Sequence, residues 1–207
     1  MRTRCTFLIY AVATLILGCL IGTGSAMAEP RIALVIGNSN YDNVPKILNP
    51  VNDSQAISKL LKSANFDVTE ADDLTHAQML QTINAFVAKA AKSGPDTVLL
   101  LFYAGHGVQA DGQNYLVPVD AKIERESDLP LEAVRLSDVM NAFKQVPAAE
   151  RFFITDSCRS NPFAKIDNEI AKGFTIVNAP NGSLVAYSTS PGAVALDGKG
   201  EHSPFTF

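Results

Sequence analysis

Four runs of nearly unbroken apolar, largely β-branched and aromatic residues dominate this sequence. They are Arg31–Gly37 (RIALVIG), Thr97–Tyr103 (TVLLLFY), Arg151–Asp156 (RFFITD) and Ser183–Ser188 (SLVAYS). A strand with one wet face alternates apolar and polar residues, whereas a strand covered on both faces does not. These runs therefore predict core strands of a parallel sheet, and Phe66–Ala71 predicts a fifth, shorter one. Helical patterns lie between them. Asp53-Ser54 open one through about Ala64, with Ile57, Leu60 and Leu61 on one face. Thr75 caps a second, to about Lys92, with Met79, Ile83, Phe86 and Val87 on its buried face. Ser137 caps a third, to about Gln145. Val108–Pro118 alternates about Asp111-Gly112, a hairpin turn pair. Strand–helix–strand alternation implies a single α/β domain with helices on both faces of a parallel sheet. Sites in such sheets form at the carboxyl ends of the strands, so the residues after each run are where chemistry belongs.

The first 28 residues read differently. Arg2 and Arg4 precede an apolar stretch, Phe7–Ile21, and Ala26-Met27-Ala28 follow before Glu29. A charged start, an apolar middle and an A-x-A site predict a secretory signal peptide over 1–28, with the domain over 29–207. A lipoprotein signal at Gly18-Cys19, or an uncleaved membrane anchor, is the alternative. Contact with a membrane is then expected only through this segment. Cleavage after Ala28 removes Cys5 and Cys19, leaving Cys158 from three cysteines. A lone thiol in an oxidising compartment forms no internal disulfide, which makes Cys158 a candidate reactive group.

Charge and motifs exclude several classes. The net charge is −4, against a nucleic-acid footprint. The chain has no G-x-G-x-x-G, Walker A, G-x-S-x-G, H-E-x-x-H or C-x-x-C pattern. No EF-hand spacing occurs among its acids, so no metal and no cofactor is expected.

Two strand ends carry chemistry. The Thr97–Tyr103 run leads into Ala104-Gly105-His106-Gly107, and the Arg151–Asp156 run into Ser157-Cys158-Arg159-Ser160. Adjacent parallel strands place His106 beside Cys158. A free thiol is only slightly ionised at neutral pH, and a neighbouring imidazole favours the thiolate or takes its proton during attack. The amides of Gly107 and Cys158 are placed to donate to an oxyanion. The carboxylate of Asp156, two residues before Cys158, favours a guanidinium or ammonium partner. Asp53 is placed as a helix N-cap.

At these residues the sequence resembles the caspase-like cysteine peptidases, in particular their bacterial metacaspase-like branch. The matching pieces run in order: Ala33-Leu34-Val35-Ile36-Gly37-Asn38 with Tyr41, Asn52-Asp53, Phe102-Tyr103-Ala104-Gly105-His106-Gly107, Tyr115-Leu116-Val117-Pro118-Val119-Asp120, Asp156-Ser157-Cys158-Arg159, and Ser203-Pro204-Phe205-Thr206. The His precedes the Cys by about 50 residues, as in that family. The resemblance implies a caspase–haemoglobinase-like three-layer α/β/α sandwich. It implies His106 as base, Cys158 as nucleophile, and the Gly107 and Cys158 amides as oxyanion hole. It implies Asp156, with Asp53 as a second acid, in a pocket for Arg or Lys, and protein or peptide substrates. The Asp156-Ser157-Cys158-Arg159-Ser160 segment departs from the Q-A-C-R-G of caspases proper. Relatives continue past Ser-Pro-Phe-Thr with a helix and a sixth strand, so the domain is expected to be C-terminally short and to lack its last edge strand. A caspase-like scaffold that binds a partner, without strong catalysis, is the alternative function. Lys165 and Lys172, between the last two strands, are candidate self-cleavage positions or ordinary surface lysines.

Overall fold

A computed structural model describes residues 29–158, 162–163, 174–190, 198 and 200–206, with Cys158 described through its backbone only. The expected signal peptide, Lys165 and Lys172 lie outside the described residues.

The five apolar runs form strands of one parallel ladder: β1 (Arg31–Gly37), β2 (Asp67–Asp72), β3 (Val98–Ala110), β6 (Glu150–Cys158) and β7 (Ser183–Tyr187). Their order across the sheet is β2-β1-β3-β6-β7, every neighbour parallel. β3 is central and is the most apolar, as a strand walled in on both faces must be. No described strand lies beyond β7.

Helices cover both faces. α1 (Pro50–Ser63) sets Ile57 and Leu61 against Ala33, Val35, Leu100 and Phe102. On the opposite face α2 (His76–Ala90) and α4 (Leu136–Lys144) bury Met79, Ile83, Phe86, Val139 and Phe143 against Leu34, Leu99, Leu101 and Phe153. This is the expected α/β/α sandwich. The Arg151 guanidinium fixes α4 to β6 by donating to the carbonyls of Phe143 (3.0 Å) and Val146 (2.5 Å), at and just beyond the end of the helix.

Several boundaries differ from the sequence reading. α1 begins at Pro50, whose locked φ suits a first helical position, so Asp53 lies inside the helix, its N–H donating to the Asn49 carbonyl. Asp53 is therefore not the N-cap. Leu60, expected on the buried face, is 62% exposed. Ser137 does not cap α4. Arg135 holds that position, and the Ser137 hydroxyl bonds the Gln113 side chain instead. Thr75 does cap α2, in a reciprocal capping box with Gln78.

The largest difference is β3, which does not end at Tyr103. It runs on through His106 to Ala110 and turns back at Asp111-Gly112 into β4 (Gln113–Leu116). Asp111 (φ 47°) and Gly112 (φ 70°) supply the two left-handed residues of that turn. β4 pairs in turn with the two-residue β5 (Val134–Arg135), preceded by a 3₁₀ turn (Glu126–Asp128) and the short α3 (Leu129–Glu132). This extension covers a second apolar core of Tyr41, Ile47, Val108, Tyr115, Val117 and Phe163.

Candidate active site

The parallel ladder of β3 and β6 closes at one pair of residues, His106 opposite Cys158. One step later β3 leaves β6 and pairs antiparallel with β4, Gly107 facing Leu116. The sequence expectation of adjacent strands therefore holds for the backbone. The chemistry-bearing residues stand inside the strands, at the end of the parallel ladder, rather than in loops beyond it.

His106 is buried, 5% exposed, and is held from four directions. Its Nε2 lies 2.7 Å from the Pro45 carbonyl. A carbonyl only accepts, so Nε2 carries the proton and the neutral ring keeps its lone pair on Nδ1. Nδ1 is buried and has no hydrogen-bond partner among the described residues. The backbone N–H of His106 donates to the Tyr41 hydroxyl (2.7 Å), and the Tyr41 ring leans on the imidazole at 4.5 Å. The Tyr103 hydroxyl donates to the His106 carbonyl (2.7 Å). Burial pushes the His106 pKa below the usual imidazole value, against a smaller opposing pull from Pro45. The outcome is a neutral imidazole with one unspent lone pair.

The flanking glycines are there for space. Gly105 has φ +152°, and a Cβ there would meet the hydroxyls of Tyr41 and Tyr103 at 2.6 and 2.7 Å. A Cβ on Gly107 would collide with the Phe174 ring. Phe174 is fixed by its neighbour Thr175, whose N–H and carbonyl both bond the Asn114 side chain at 2.8 Å. The Val117 N–H donates to the His106 carbonyl, which makes Gly107 and Leu116 a non-hydrogen-bonded pair. The Gly107 N–H is therefore turned away from β4.

Asp53 and Asp156 are brought together, although they come from α1 and β6. Both are buried, and Ser203 bridges them. Its N–H donates to the Asp53 carboxylate (3.2 and 3.3 Å) and its hydroxyl to Asp156. His202 Nδ1 donates to Asp53 at 3.1 Å. Burial raises the Asp53 pKa and the charge of Asp156 raises it further, against the bonds from Ser203 and His202. Asp156 stands two residues before Cys158 on β6, on the strand parity of Phe152 and Ile154, which line the α1 face.

Other motif residues are joints of the frame. The Asn38 amide bonds the Val117 carbonyl and the Leu74 N–H, and the Asp120 carboxylate accepts from the His76 N–H at the start of α2. Sequence reasoning gave no role to Pro45, Tyr103, Asn114, Phe174 or His202. Pro45 acts through a backbone carbonyl, which carries no residue signature. His202 lies 149 positions from Asp53, and only its being one of three histidines marked it. Among the described residues no group of three or more His, Cys, Asp or Glu is placed to hold a metal ion.

Comparison with known proteins places this arrangement. The chain is 30% identical over 137 residues to the mucosa-associated lymphoid tissue lymphoma translocation protein 1 of Homo sapiens and to its Mus musculus homologue, matching 66% of this chain and 16% of each relative. It is 28% identical over 86 residues to caspase-1 of Equus caballus, over 42% of this chain and 21% of that one. The chain thus spans a small part of each relative's length. A crystal structure of a Geobacter sulfurreducens protein shares the fold, with a TM-score of 0.50 and 19% identity over 63% of this chain and 51% of that one. The sequence profile of the family described as Caspase domain matches residues 30–207. With its parallel sheet, its site at the end of the central ladder and that match, this chain belongs to the caspase-domain family of peptidases.

Proposed function

We propose that this peptidase-family domain is a cysteine endopeptidase working through a His106–Cys158 dyad and cutting after Arg or Lys. One observation carries the reading. Nε2 of His106 is committed to the Pro45 carbonyl, which leaves Nδ1 as a buried lone pair on the residue in register with Cys158. In the proposed reaction Nδ1 takes the thiol proton and the thiolate adds to the scissile carbonyl. The developing oxyanion is met by the N–H groups of Gly107 and Cys158. The imidazolium then gives its proton to the leaving amine, and a water activated by the same Nδ1 hydrolyses the acyl-enzyme. A substrate cation is received by Asp156 and Asp53, a buried carboxylate pair without a lysine or arginine partner among the described residues. No metal or other cofactor takes part in this scheme.

The test is hydrolysis of fluorogenic peptides ending in Arg, Lys or Asp by the parent protein and by Cys158→Ala. Turnover of the basic peptides that vanishes in the variant supports the scheme. An unchanged rate in Cys158→Ala defeats the nucleophile assignment, and faster cutting of the Asp peptide defeats the pocket assignment. We further propose export through the N-terminal segment, for which a secreted or periplasmic product beginning at Glu29 is the expected result of N-terminal sequencing.

A further inference from the structure

The two carboxylates are not equivalent in what they face. Asp156 is met by a neutral donor, the Ser203 hydroxyl. Asp53 is met by a group that can itself become a cation, His202 Nδ1 at 3.1 Å. Asp53 is nearly sealed, its side chain 2% exposed, whereas the His202 side chain is 32% exposed. The outer side of His202 opens on a groove of about 500 Å³ between α1 and its own segment, lined by Asn52, Gln55, Lys59 and Glu201. His202 can thus exchange protons with water while touching a carboxylate that cannot. Histidine is the side chain that ordinarily gains or loses charge between pH 5 and 8.

We propose that His202 is a specificity-determining residue: its imidazolium is an internal counter-ion of Asp53 that a basic substrate side chain must displace. This rests on the reading of Asp53 and Asp156 as the seat of a basic side chain. With His202 charged, Asp53 is already paired and the pocket offers one free carboxylate. With His202 neutral, it offers two, the number a planar guanidinium with five donors can engage. Binding of the substrate cation therefore expels any proton that His202 carries, so a charged His202 weakens binding and a neutral one does not. The location supports this. The 201–203 segment is tied to α1 by the Asn52 amide, which donates to the Glu201 carbonyl (3.0 Å) and so holds the backbone that carries His202 beside Asp53. The charged groups facing His202 are Asp53 and Lys59 of α1, Glu201 of its own segment and, through Ser203, Asp156 of β6.

The experiment measures binding of an Arg-containing peptide and its Asp counterpart to the Cys158→Ala protein between pH 5.5 and 8.5, by calorimetry. Removing the thiol silences catalysis, and His106 titrates alike in every variant compared. The Arg peptide should tighten about tenfold across this range, the scale expected when one proton is coupled to binding. His202→Gln should flatten the change to less than twofold, and His202→Lys should hold the weak, acid-side affinity at every pH. A pH dependence that persists unchanged in His202→Gln, or a flat profile in the parent despite a preference for Arg, overturns the proposal and leaves the basic-pocket reading standing. An Arg peptide that binds no better than the Asp peptide at any pH overturns both.

Discussion

The two buried polar centres of this domain face the same solvent problem and meet it in opposite ways. Around His106, burial drives an imidazole toward its neutral form, and the frame supplies a single acceptor, leaving one nitrogen unspent. Around Asp53 and Asp156, burial drives a carboxyl toward its neutral form, and the frame answers with donors from Ser203 and His202. In the first centre desolvation serves the proposed chemistry, because a base must be neutral. In the second it opposes the proposed function, because a receptor for a cation must be charged. The difference is visible in their neighbours. His106 is packed by rings and backbone, whereas Asp53 is surrounded by hydrogen-bond donors.

The largest expected effect breaks the first centre outright. His106→Gln keeps an amide near the imidazole's place but removes the base, and kcat/KM should fall about 10³-fold, within the range for a lost general base. Stability should change little by comparison, and a thermal melt run beside the assay separates the two. In the second centre, Asp156→Asn should lower kcat/KM for Arg peptides about 10²-fold while sparing kcat more than KM, because it removes binding rather than the reacting groups. An equal loss on an Asp peptide would show that Asp156 supports the fold instead.

A subtler change tests whether the first centre depends on its aim. Tyr41→Phe strips the acceptor from the buried His106 N–H, and an unsatisfied buried donor costs about 1–3 kcal/mol. Activity should drop about tenfold with a lower melting temperature. The smallest effect concerns pH and stability, and its sign differs between the centres. The folded pKa of His106 lies below its unfolded value near 6.5, so the unfolded chain binds the extra proton and stability falls as pH drops below that value. The folded pKa of Asp53 lies above its unfolded value of 3.8, so the charged form burdens the fold at neutral pH. Asp53→Asn should therefore melt no lower than the parent at pH 7 while losing affinity for basic peptides. A lower melting temperature would mean that its bonds to Ser203 and His202 outweigh its burial.

The sequence showed one of these centres better than the other, for physical reasons. β1, β3, β6 and β7 were legible because strands buried on both faces must be continuously apolar, and that signal needs no partner information. His106 and Cys158 were legible because the ends of parallel strands converge wherever the strands are neighbours. The extension of β3 was not legible, since Gly105 and Gly107 interrupt the apolar run, whereas their missing side chains serve the close approach of Tyr41, Tyr103 and Phe174. Asp53 was expected to cap its helix, because an acid near a helix start suggests a cap. Pro50 had already started the helix three residues earlier. The Ser203 bridge and the His202 contact join residues some 150 positions apart, and periodicity carries no information at that range.

β3 belongs to the parallel sheet as far as His106 and to the small antiparallel sheet from Gly107 onward. The domain therefore joins two sheets within a single strand, and such parts of one fold can open with different free energies. Amide hydrogen exchange should be slow at Leu99–Tyr103 and faster, as a group, at Val108–Ala110 and Tyr115–Leu116. Tyr41, which steadies His106, packs with the smaller sheet, whereas His106 and Cys158 are the last rung of the larger one. On warming, the orientation of the imidazole should fail first, so that heat inactivation precedes the loss of the sheet.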